Sequence, residues 1–249
     1  MNPDIPLKTS REVGGIRNSC RIAAEILRSV AAHVERGVSA RELDRIAAAL
    51  MRQFGVRAGV AQGFPGAICV SVNDVAAHGV PGREKLVSGD IVTIDVAVLS
   101  EGWYGDVAAS FAVGELSAEK QRLLETARSA LAAAIQVARA GGRMGDLGAA
   151  VLAIAEPQDC VVLPEFVGHG IGGKLHEEPI VPHTGRRGEG LPIVPGMVFT
   201  IEPALSLGAA ALQKEPDGWS LRTRDRSPVA QFEHTVAVFA DRTEVLTEL

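Results

Sequence analysis

Two aspartates lie in the middle of apolar segments that otherwise have the pattern of buried β-strands. The segment GDIVTIDVAVLSEGWYGDVAASF, residues 89 to 111, reads as two strands joined by a short turn, with Asp95 in the first and Asp106 in the second. The connection is too short for a crossover helix, so the strands are predicted to be antiparallel. A turn at Ser100-Glu101 would place the two aspartates directly opposite each other, with Cβ atoms ~5 Å apart.

Two carboxylates at this spacing need compensation. At an effective dielectric constant of ~20, two unit charges ~5 Å apart repel each other by roughly 3 kcal/mol, and burial adds several kcal/mol for each ion. A shared proton, a buried basic residue or a divalent cation could relieve the repulsion. Neither strand carries Lys or Arg, which disfavours the second of these solutions.

An internal repeat bears on this choice. The first copy runs His-Gly-Val-Pro-Gly at 78–82, Gly-Asp-Ile-Val-Thr-Ile-Asp at 89–95 and then Asp106, and the second runs His-Gly-Ile-Gly-Gly at 169–173, Gly-Met-Val-Phe-Thr-Ile-Glu at 196–202 and then Glu233. Three matches in the same order predict two related half-domains, roughly residues 60–115 and 160–240, that share one sheet. Their acidic residues would converge on the pseudo-twofold axis.

The second half of the repeat favours a metal site. Its matching strands add Glu202 and Glu233, and His169 lies between glycines that allow a close approach of the backbone. Four carboxylates in one cavity require more than one positive charge, so we expect two divalent cations bridged by carboxylates. The predicted ligands are Asp95, Asp106, His169, Glu202 and Glu233. This set suits Mn, Fe, Co or Zn, and Mg less well, and ligand type does not choose among them.

Composition and charge exclude several other classes of protein. The chain has 249 residues, 47% of them hydrophobic, and a net charge of −5, so a packed core is expected and a nucleic-acid partner is not. No apolar run reaches the roughly 18 residues of a membrane helix, and no secretory signal is visible at the start. Three cysteines without CxxC spacing indicate reduced thiols and a cytoplasmic protein.

Helical and strand patterns interleave along the chain, which predicts an α+β protein forming a single domain over residues 1–249. Capping-box spacing at Thr9 and Ser39 predicts two helix starts, with Gly37 and Gly55 as terminators. Further helices are predicted at about 118–140 and 145–155, and strands at 67–73, 90–99, 104–113, 160–163, 197–202 and 230–239. Within the first long strand, the face opposite Asp95 is wholly aliphatic and is predicted to be core.

Three histidines, His33, His183 and His234, and all three cysteines receive no role in the chemistry. His33 is interpreted as a helix-surface residue and His183 as a loop residue. His234 follows Glu233 directly and is therefore expected to point to the opposite face of its strand.

At the level of whole motifs, the chain resembles the type I methionine aminopeptidases, which have the pita-bread fold shared with aminopeptidase P, prolidase and creatinase. The resemblance runs from Ile5-Pro6-Leu7-Lys8-Thr9 to Val236-Ala237-Val238. Its blocks are SVNDVAAHGVP, GDIVTIDVAV, GWYGDVAASF, GHGIGGKLHEEP, PGMVFTIEPAL and DRSPVAQFEHTVAV. It implies half-domains that share a curved, mainly antiparallel sheet, with helices on its outer face, and removal of the initiator methionine.

The resemblance also implies roles for individual residues. Asp106 and Glu233 would bridge the two metal ions, and Glu202 would be the general base toward an attacking water. His176 would donate a hydrogen bond to the developing oxyanion, and His78 would contact the backbone nitrogen on the leaving side. The free substrate amine would lie on one metal. Two further family residues of the substrate pocket are kept, Phe64 and Trp219.

Several positions depart from the family pattern and bear on specificity. Ala58, Ala61, Gln62, Leu175 and Ala204 replace the usual Cys, Tyr, His, Phe and Met. Most of these changes would make the pocket larger and less aromatic. Since one methylene is worth only ~1–3 kcal/mol of selectivity, we expect a working aminopeptidase whose preference for methionine is less strict.

Two alternatives remain open at this point. One is a related pita-bread aminopeptidase with an altered side-chain preference, including one that cleaves before proline. The other is a non-catalytic protein that binds peptides. As partners we expect the N-terminal peptides of nascent or small proteins, transient contact with the ribosome, no nucleic acid and no membrane, and we expect a monomer.

Overall fold

A computed structural model of the chain describes residues 4–248, in which four α-helices and fifteen β-strands alternate. The helices are α1 (Ser10–Ala31), α2 (Ala40–Phe54), α3 (Ala118–Val137) and α4 (Met144–Ala155), and a 3₁₀ turn follows at Glu156–Gln158. The strands are β1 (Arg57–Ala58), β2 (Cys69–Val72), β3 (Val75–Ala77), β4 (Ile91–Ser100), β5 (Trp103–Ala112), β6 (Val161–Val162), β7 (Gly168–Gly170), β8 (Glu177–Val181), β9 (Val198–Ile201), β10 (Ala204–Ser206), β11 (Leu212–Lys214), β12 (Leu221–Thr223), β13 (Val229–Gln231), β14 (His234–Val238) and β15 (Thr243–Val245).

The two predicted capping boxes form as expected. In α1 the Thr9 backbone N–H donates to Glu12 Oε2 over 2.7 Å, and in α2 the Ser39 N–H donates to Glu42 Oε2 over 2.7 Å. The first helix ends at Ala31 rather than near Arg36. It stops early because the chain turns to pair with the segment before β4, where the Gly37 N–H donates to the Leu86 carbonyl.

The first half of the molecule is built on the hairpin of β4 and β5. Its turn is Glu101-Gly102, and both residues have positive φ, 49° and 86°, as a two-residue type I′ turn requires. The predicted turn at Ser100-Glu101 was therefore off by one position. As a result Asp95 pairs with Ala108 and Asp106 with Ala97, so the prediction that the two aspartates lie directly opposite each other was wrong.

The aliphatic face of β4 is buried, as predicted. Val92, Ile94, Val96 and Val98 are fully buried in a cluster with side chains of α1 and α2. Helix α1 also packs directly on β5, because a Cβ at Gly105 would collide with the backbone of Ser19 and Cys20. Helices α1 and α2 therefore cover one face of the hairpin, and Asp95 and Asp106 lie on the opposite face.

The second half is built from a five-stranded antiparallel sheet in the order β15-β14-β9-β7-β8. Helices α3 and α4 cover it and share a buried cluster with Met197, Phe199 and Ile201. The β4–β5 sheet and this five-stranded sheet are separate in their hydrogen bonding. The two halves nevertheless pair through β3 and β12, and through an antiparallel bridge between Ala108 and Glu233. The division into half-domains at residues 60–115 and 160–240 stays a prediction.

None of the helices within residues 4–248 is both long enough and apolar enough to cross a membrane.

Candidate functional site

A single cavity of about 410 Å³ brings together every side chain to which the sequence assigned chemistry. Its lining includes Phe64, His78, Asp95, Asp106, His169, His176, Glu202, Trp219 and Glu233. Both halves of the molecule contribute, and each of these nine residues comes from a different strand or loop. The cavity lies at the junction of the two halves, where Ala108 bridges to Glu233.

The first half contributes its two carboxylates from regular strands. Asp95 and Asp106 lie on the same face of the β4–β5 hairpin, in cross-strand pairs that are two positions apart. They are diagonal neighbours, because side chains two positions apart on a strand point to the same side. The face predicted for them is therefore the correct one, although their pairing is not.

The second half contributes its groups from strand ends and interruptions. His169 is the central residue of the three-residue strand β7, and Glu202 directly follows β9. Glu233 lies between β13 and β14, and its backbone N–H donates to the Ala108 carbonyl over 2.8 Å. The glycines on each side of His169 are required by close packing, since a Cβ at Gly168 or Gly170 would collide with a backbone carbonyl of a neighbouring strand.

Three of these side chains lie close enough together to hold one cation. One donor atom each from Asp106, His169 and Glu233 lies within 4.8 Å of the other two. The carboxylate oxygens Asp106 Oδ1 and Glu233 Oε1 are buried and find no hydrogen-bond donor within residues 4–248. Because a buried carboxylate oxygen normally has a donor or a cation against it, this donor set fits a divalent metal ion.

The raised pKa values of the carboxylates also fit a site for positive charge. Burial raises the pKa of Asp95 to about 6 and that of Glu202 to about 8. Burial, with the neighbouring carboxylates as a second cause, also raises the pKa of Asp106 and of Glu233 well above the ordinary values. The protein alone therefore disfavours four charged carboxylates in this cavity, and added positive charge would reverse this preference.

The ring of His169 is held in one orientation and one tautomer. Its Nδ1 lies 3.0 Å from the Gly170 carbonyl oxygen, so Nδ1 carries the proton and donates it to that oxygen. The other ring nitrogen, Nε2, is left with a free lone pair and lies 3.7 Å from Asp106 Oδ2 and 3.6 Å from Glu202 Oε1. Burial lowers the pKa of His169 to about 4, which keeps the imidazole neutral. Metal-binding histidines commonly show this arrangement.

The Glu202 carboxylate is fixed by two neighbours that the sequence did not single out. The Thr200 hydroxyl donates to Glu202 Oε1 over 2.7 Å and accepts the His169 backbone N–H over 3.0 Å. Gln231 Nε2 lies 3.3 Å from Glu202 Oε2. One hydroxyl therefore sets the position of Glu202 relative to His169, in a pair of strands whose adjacency no local pattern reveals.

Two further imidazoles stand at the cavity. His176 precedes β8, and its ring centroid lies 4.2 Å from that of His169 at an interplanar angle of 72°. His78 follows β3 with a φ of +53°, a left-handed conformation that a residue with a side chain seldom adopts. Burial lowers the pKa of both, so each offers a neutral ring near pH 7.

The apolar wall of the cavity comes from two loops. Phe64 and Trp219 form an edge-to-face pair with ring centroids 5.4 Å apart. Cys69, which the sequence reasoning passed over, also lines the cavity and is the cross-strand partner of Asp95. The β2–β4 register that brings Cys69 to this position is a tertiary feature, and a lone cysteine in a strand carries no signal of it.

Only some of the five residues that depart from the family pattern line the cavity. Ala61 and Leu175 line the cavity, whereas Ala58, Gln62 and Ala204 are not among its lining residues. Ala204 is fully buried in a small cluster with Leu163 and Phe166, behind the wall. The expectation of an enlarged pocket therefore depends on two of the five changes.

His183 lies in a loop, as predicted, but it is not a surface residue. Its side chain is 2% exposed, and both ring nitrogens contact backbone groups. His234 points away from Glu233 and contacts the Thr247 hydroxyl over 2.8 Å, in agreement with the strand alternation.

Comparison with known proteins gives a consistent family. Residues 14–240 match the model of metallopeptidase family M24. Methionine aminopeptidase B of Synechocystis sp. is 39% identical over 249 residues, which covers 97% of this chain and 91% of that protein. Methionine aminopeptidase of Escherichia coli (strain K12) is 38% identical over 247 residues, covering 98% and 94%.

Solved structures agree with the sequence matches. The crystal structure of methionine aminopeptidase from Rickettsia prowazekii superposes with a TM-score of 0.95 at 36% identity, over 98% of this chain and 100% of that one. Prolidase from Pyrococcus furiosus has a TM-score of 0.76 at 21% identity, and this chain covers 65% of its length, so that likeness shows a shared fold alone. The predicted pita-bread fold is confirmed. The chain therefore belongs to metallopeptidase family M24, among the methionine aminopeptidases.

Proposed function

We propose that this protein is a metallo-aminopeptidase that removes the N-terminal methionine from newly made proteins. The observation that carries the proposal is the single cavity in which a set of carboxylate and imidazole groups faces the apolar pair of Phe64 and Trp219. Relatives that bear the name methionine aminopeptidase match along nearly the whole chain, which supports the same substrate.

We propose that two divalent ions, of Mn, Fe, Co or Zn, are held in this cavity. Their ligands would be Asp95, Asp106, His169, Glu202 and Glu233, with Asp106 and Glu233 shared between the ions. The buried oxygens of Asp106 and Glu233 that lack a donor support this assignment, as do the raised pKa values of all four carboxylates. When bound, the ions would lower the pKa of a water molecule and polarise the scissile carbonyl.

The remaining steps fall to side chains of the cavity. Glu202 would accept a proton from the attacking water, and its carboxylate is held for this by Thr200 and Gln231. His176, as a neutral imidazole, would donate a hydrogen bond to the carbonyl oxygen as charge develops there. His78 would contact the backbone nitrogen of the leaving chain.

The methionine side chain would occupy the space between Phe64, Trp219 and Cys69. Its thioether makes favourable contacts with aromatic rings, which this wall supplies. A second candidate function, an aminopeptidase with a broader side-chain preference, is supported by Ala61 and Leu175, which line the cavity where the family pattern has larger aromatic residues.

The test combines metal analysis with a peptide panel. Metal-free protein is titrated with Mn, Fe, Co and Zn in turn, and cleavage of Met-Ala-Ser is compared with that of Leu-, Ala- and Phe-started peptides and of a Met-Pro peptide. We expect two ions per chain and release of methionine from Met-Ala-Ser. Sharp discrimination against the other peptides would reject the broader preference. Two bound ions without cleavage of any peptide would instead support a non-catalytic peptide-binding protein.

We also propose the cellular setting that the sequence suggests. Cys20, Cys69 and Cys160 are free and buried, which supports a reducing compartment such as the cytoplasm. A cavity formed by one chain supports a monomer. This monomer would bind the N-terminal peptides of nascent or small proteins and would contact the ribosome transiently. Sedimentation of the purified protein and cosedimentation with ribosomes test these two points.

A further inference from the structure

His183 is a buried imidazole close to the site that the proposed chemistry does not use. It lies two residues after the end of β8 and is 2% exposed. Its Nδ1 is 3.1 Å from the Phe166 carbonyl oxygen, and its Nε2 is 3.0 Å from the backbone nitrogen of Glu202. A carbonyl oxygen only accepts and a backbone N–H only donates, so Nδ1 carries the proton and Nε2 accepts from Glu202.

His183 Nε2 is the acceptor for a backbone N–H of Glu202 that lies outside the regular strand ladder. The ladder between β9 and β14 ends at the pair Ile201 and His234, so Glu202 lies just beyond regular pairing. The next residue is Pro203, which has no N–H of its own. A buried N–H without an acceptor is rarely tolerated, and without His183 this peptide would be expected to rotate toward another partner. Such a rotation would carry the Glu202 side chain with it.

The same imidazole connects three segments that carry predicted site residues. Phe166 precedes β7, which holds His169, and β8, which leads to His183, begins directly after His176. Strands β7 and β8 pair at Gly168 and Val181 and are no longer paired at His183. His183 therefore joins these segments where the backbone ladder has stopped. Thr200 and Gln231 hold the carboxylate of Glu202, and His183 holds its main chain.

We propose that His183 is a positioning residue that fixes the orientation of Glu202 through its backbone N–H, and thereby sets the affinity of the site for divalent ions and the turnover rate. The proposal rests on the proposed function, in which Glu202 is a metal ligand and the general base. Outer contacts of this kind typically change metal affinity or activity by about 10–100-fold when removed.

The test compares two substitutions that differ in hydrogen bonding. His183→Leu keeps bulk and removes both polar atoms, whereas His183→Gln keeps one donor and one acceptor. For His183→Leu we expect a fall in kcat of about 10–100-fold, little change in KM for Met-Ala-Ser and a similar loss of Mn(II) affinity in calorimetry. His183→Gln should recover most of both.

Leu147→Ala is the matched control for a loss of stability alone. Leu147 is fully buried in α4, in the same half of the molecule, and has no role in the site. We expect this variant to lower the melting temperature while leaving kcat per folded molecule and Mn(II) affinity near those of the wild type. If His183→Leu behaves in the same way, the proposal is overturned and His183 is only a packing residue.

A measurement on the wild type keeps the test decisive if His183→Leu does not fold. Nitrogen NMR of the metal-free protein reports which ring nitrogen of His183 is protonated. We expect Nδ1, and a proton on Nε2 would overturn the proposal. If the wild type neither binds Mn(II) nor cleaves Met-Ala-Ser, the proposed function fails, whatever the tautomer. If the wild type does both and kcat and Mn(II) affinity are unchanged in His183→Leu, the positioning role alone fails.

Discussion

The two halves of the molecule deliver their site residues in different ways. In the first half, Asp95 and Asp106 lie well inside ten-residue strands of a regular hairpin. In the second half, His169 lies in a three-residue strand, Glu202 just past a strand end and Glu233 in a break between strands. The first pair is placed by strand alternation, and the second group by contacts between segments far apart in sequence.

This difference predicts different consequences of substitution. A side chain in a regular hairpin keeps its direction when its chemistry changes, because the backbone ladder around it is complete. A side chain at a strand end depends on neighbours such as Thr200, Gln231 and His183. We therefore expect substitutions of the hairpin residues Asp95 and Asp106 to alter mainly the charge of the site. Substitutions of the neighbours of Glu202 should alter mainly the positions of the site's side chains.

The largest expected effect is that of Asp106→Asn. This substitution removes a proposed shared ligand with little change of shape, and several kcal/mol of charge stabilisation should be lost, which corresponds to roughly a thousand-fold in kcat/KM. The melting temperature of the metal-free protein should not fall, because one buried, repelling carboxylate is gone. Thr200→Val in the second half should lose only about 10–100-fold.

Steady-state kinetics and calorimetric melting of the two metal-free variants check this order. An Asp106→Asn protein that keeps full activity would contradict the assignment of Asp106. A larger loss for Thr200→Val than for Asp106→Asn would reverse the comparison between the halves.

A smaller effect is expected from crowding in the second half. Gly170→Ala forces a Cβ against the Glu178 carbonyl of β8, a backbone atom that cannot move aside easily. We expect a loss of about 1–3 kcal/mol in the free energy of unfolding, at about 2–4 °C in melting temperature for each kcal/mol. Weaker Mn(II) binding should accompany it, since His169 is adjacent.

Gly14→Ala is the matched control in α1, the helix that covers the first half. Nothing lies within 4 Å of a Cβ at Gly14, so alanine should raise the free energy of unfolding by roughly 0.5–1 kcal/mol through its helix preference. Equal melting temperatures for the two glycine variants would show that β7 and β8 can separate at no cost.

The smallest expected effect is a pH dependence of the metal-free protein. Carboxylates whose pKa is raised by folding stabilise the fold below their ordinary pKa and lose this contribution as pH rises through the folded value. Burial lowers the pKa of His169 and His183 to about 4, so their contribution rises through their ordinary value of 6.5 and levels off about one pH unit above it. Between pH 7.5 and 8.5 the carboxylates dominate, and the melting temperature should fall by a few degrees.

Two variants separate the contributions of Glu202 and Asp95 to this slope. Glu202→Gln should reduce the decline near pH 8, because Glu202 has a pKa of about 8. Asp95→Asn should leave most of it, since Asp95, with a pKa of about 6, has largely lost its proton before this range begins. Mn(II) should abolish the decline in the wild type. A melting temperature of the metal-free protein that rises from pH 7.5 to 8.5 would contradict the raised pKa values.

Local patterns were sufficient for the hairpin face even though its register was predicted wrongly. Moving the turn by one residue changes the partner of Asp95 by two positions, from Asp106 to Ala108. A shift of two keeps every side chain on the same face, because side chains alternate with a period of two. The same reasoning applies to the helix caps at Thr9 and Ser39, which are local interactions.

Contacts between distant segments were beyond local patterns. Cys69 reaches the cavity through the β2–β4 register, and His183 is buried by Phe166 and Glu202, which lie 17 and 19 residues away in the chain. A histidine near prolines and glycines has the same local pattern whether its loop is exposed or buried. The short strands β10, β11 and β12 were not predicted, and β13 was merged with β14 in one predicted strand, because strands of two or three residues carry little periodicity.

The sequence by itself determined the types of the site residues, the faces of the long strands and the family. Periodicity and residue chemistry act over a few neighbouring positions and need no knowledge of the rest of the chain. Only the tertiary structure decided that nine side chains from different strands and loops meet in one cavity, and that buried oxygens of Asp106 and Glu233 are left without donors within residues 4–248. The physical reason is that burial and hydrogen-bond partnership are set by which segments become neighbours, and this depends on the packing of the whole chain.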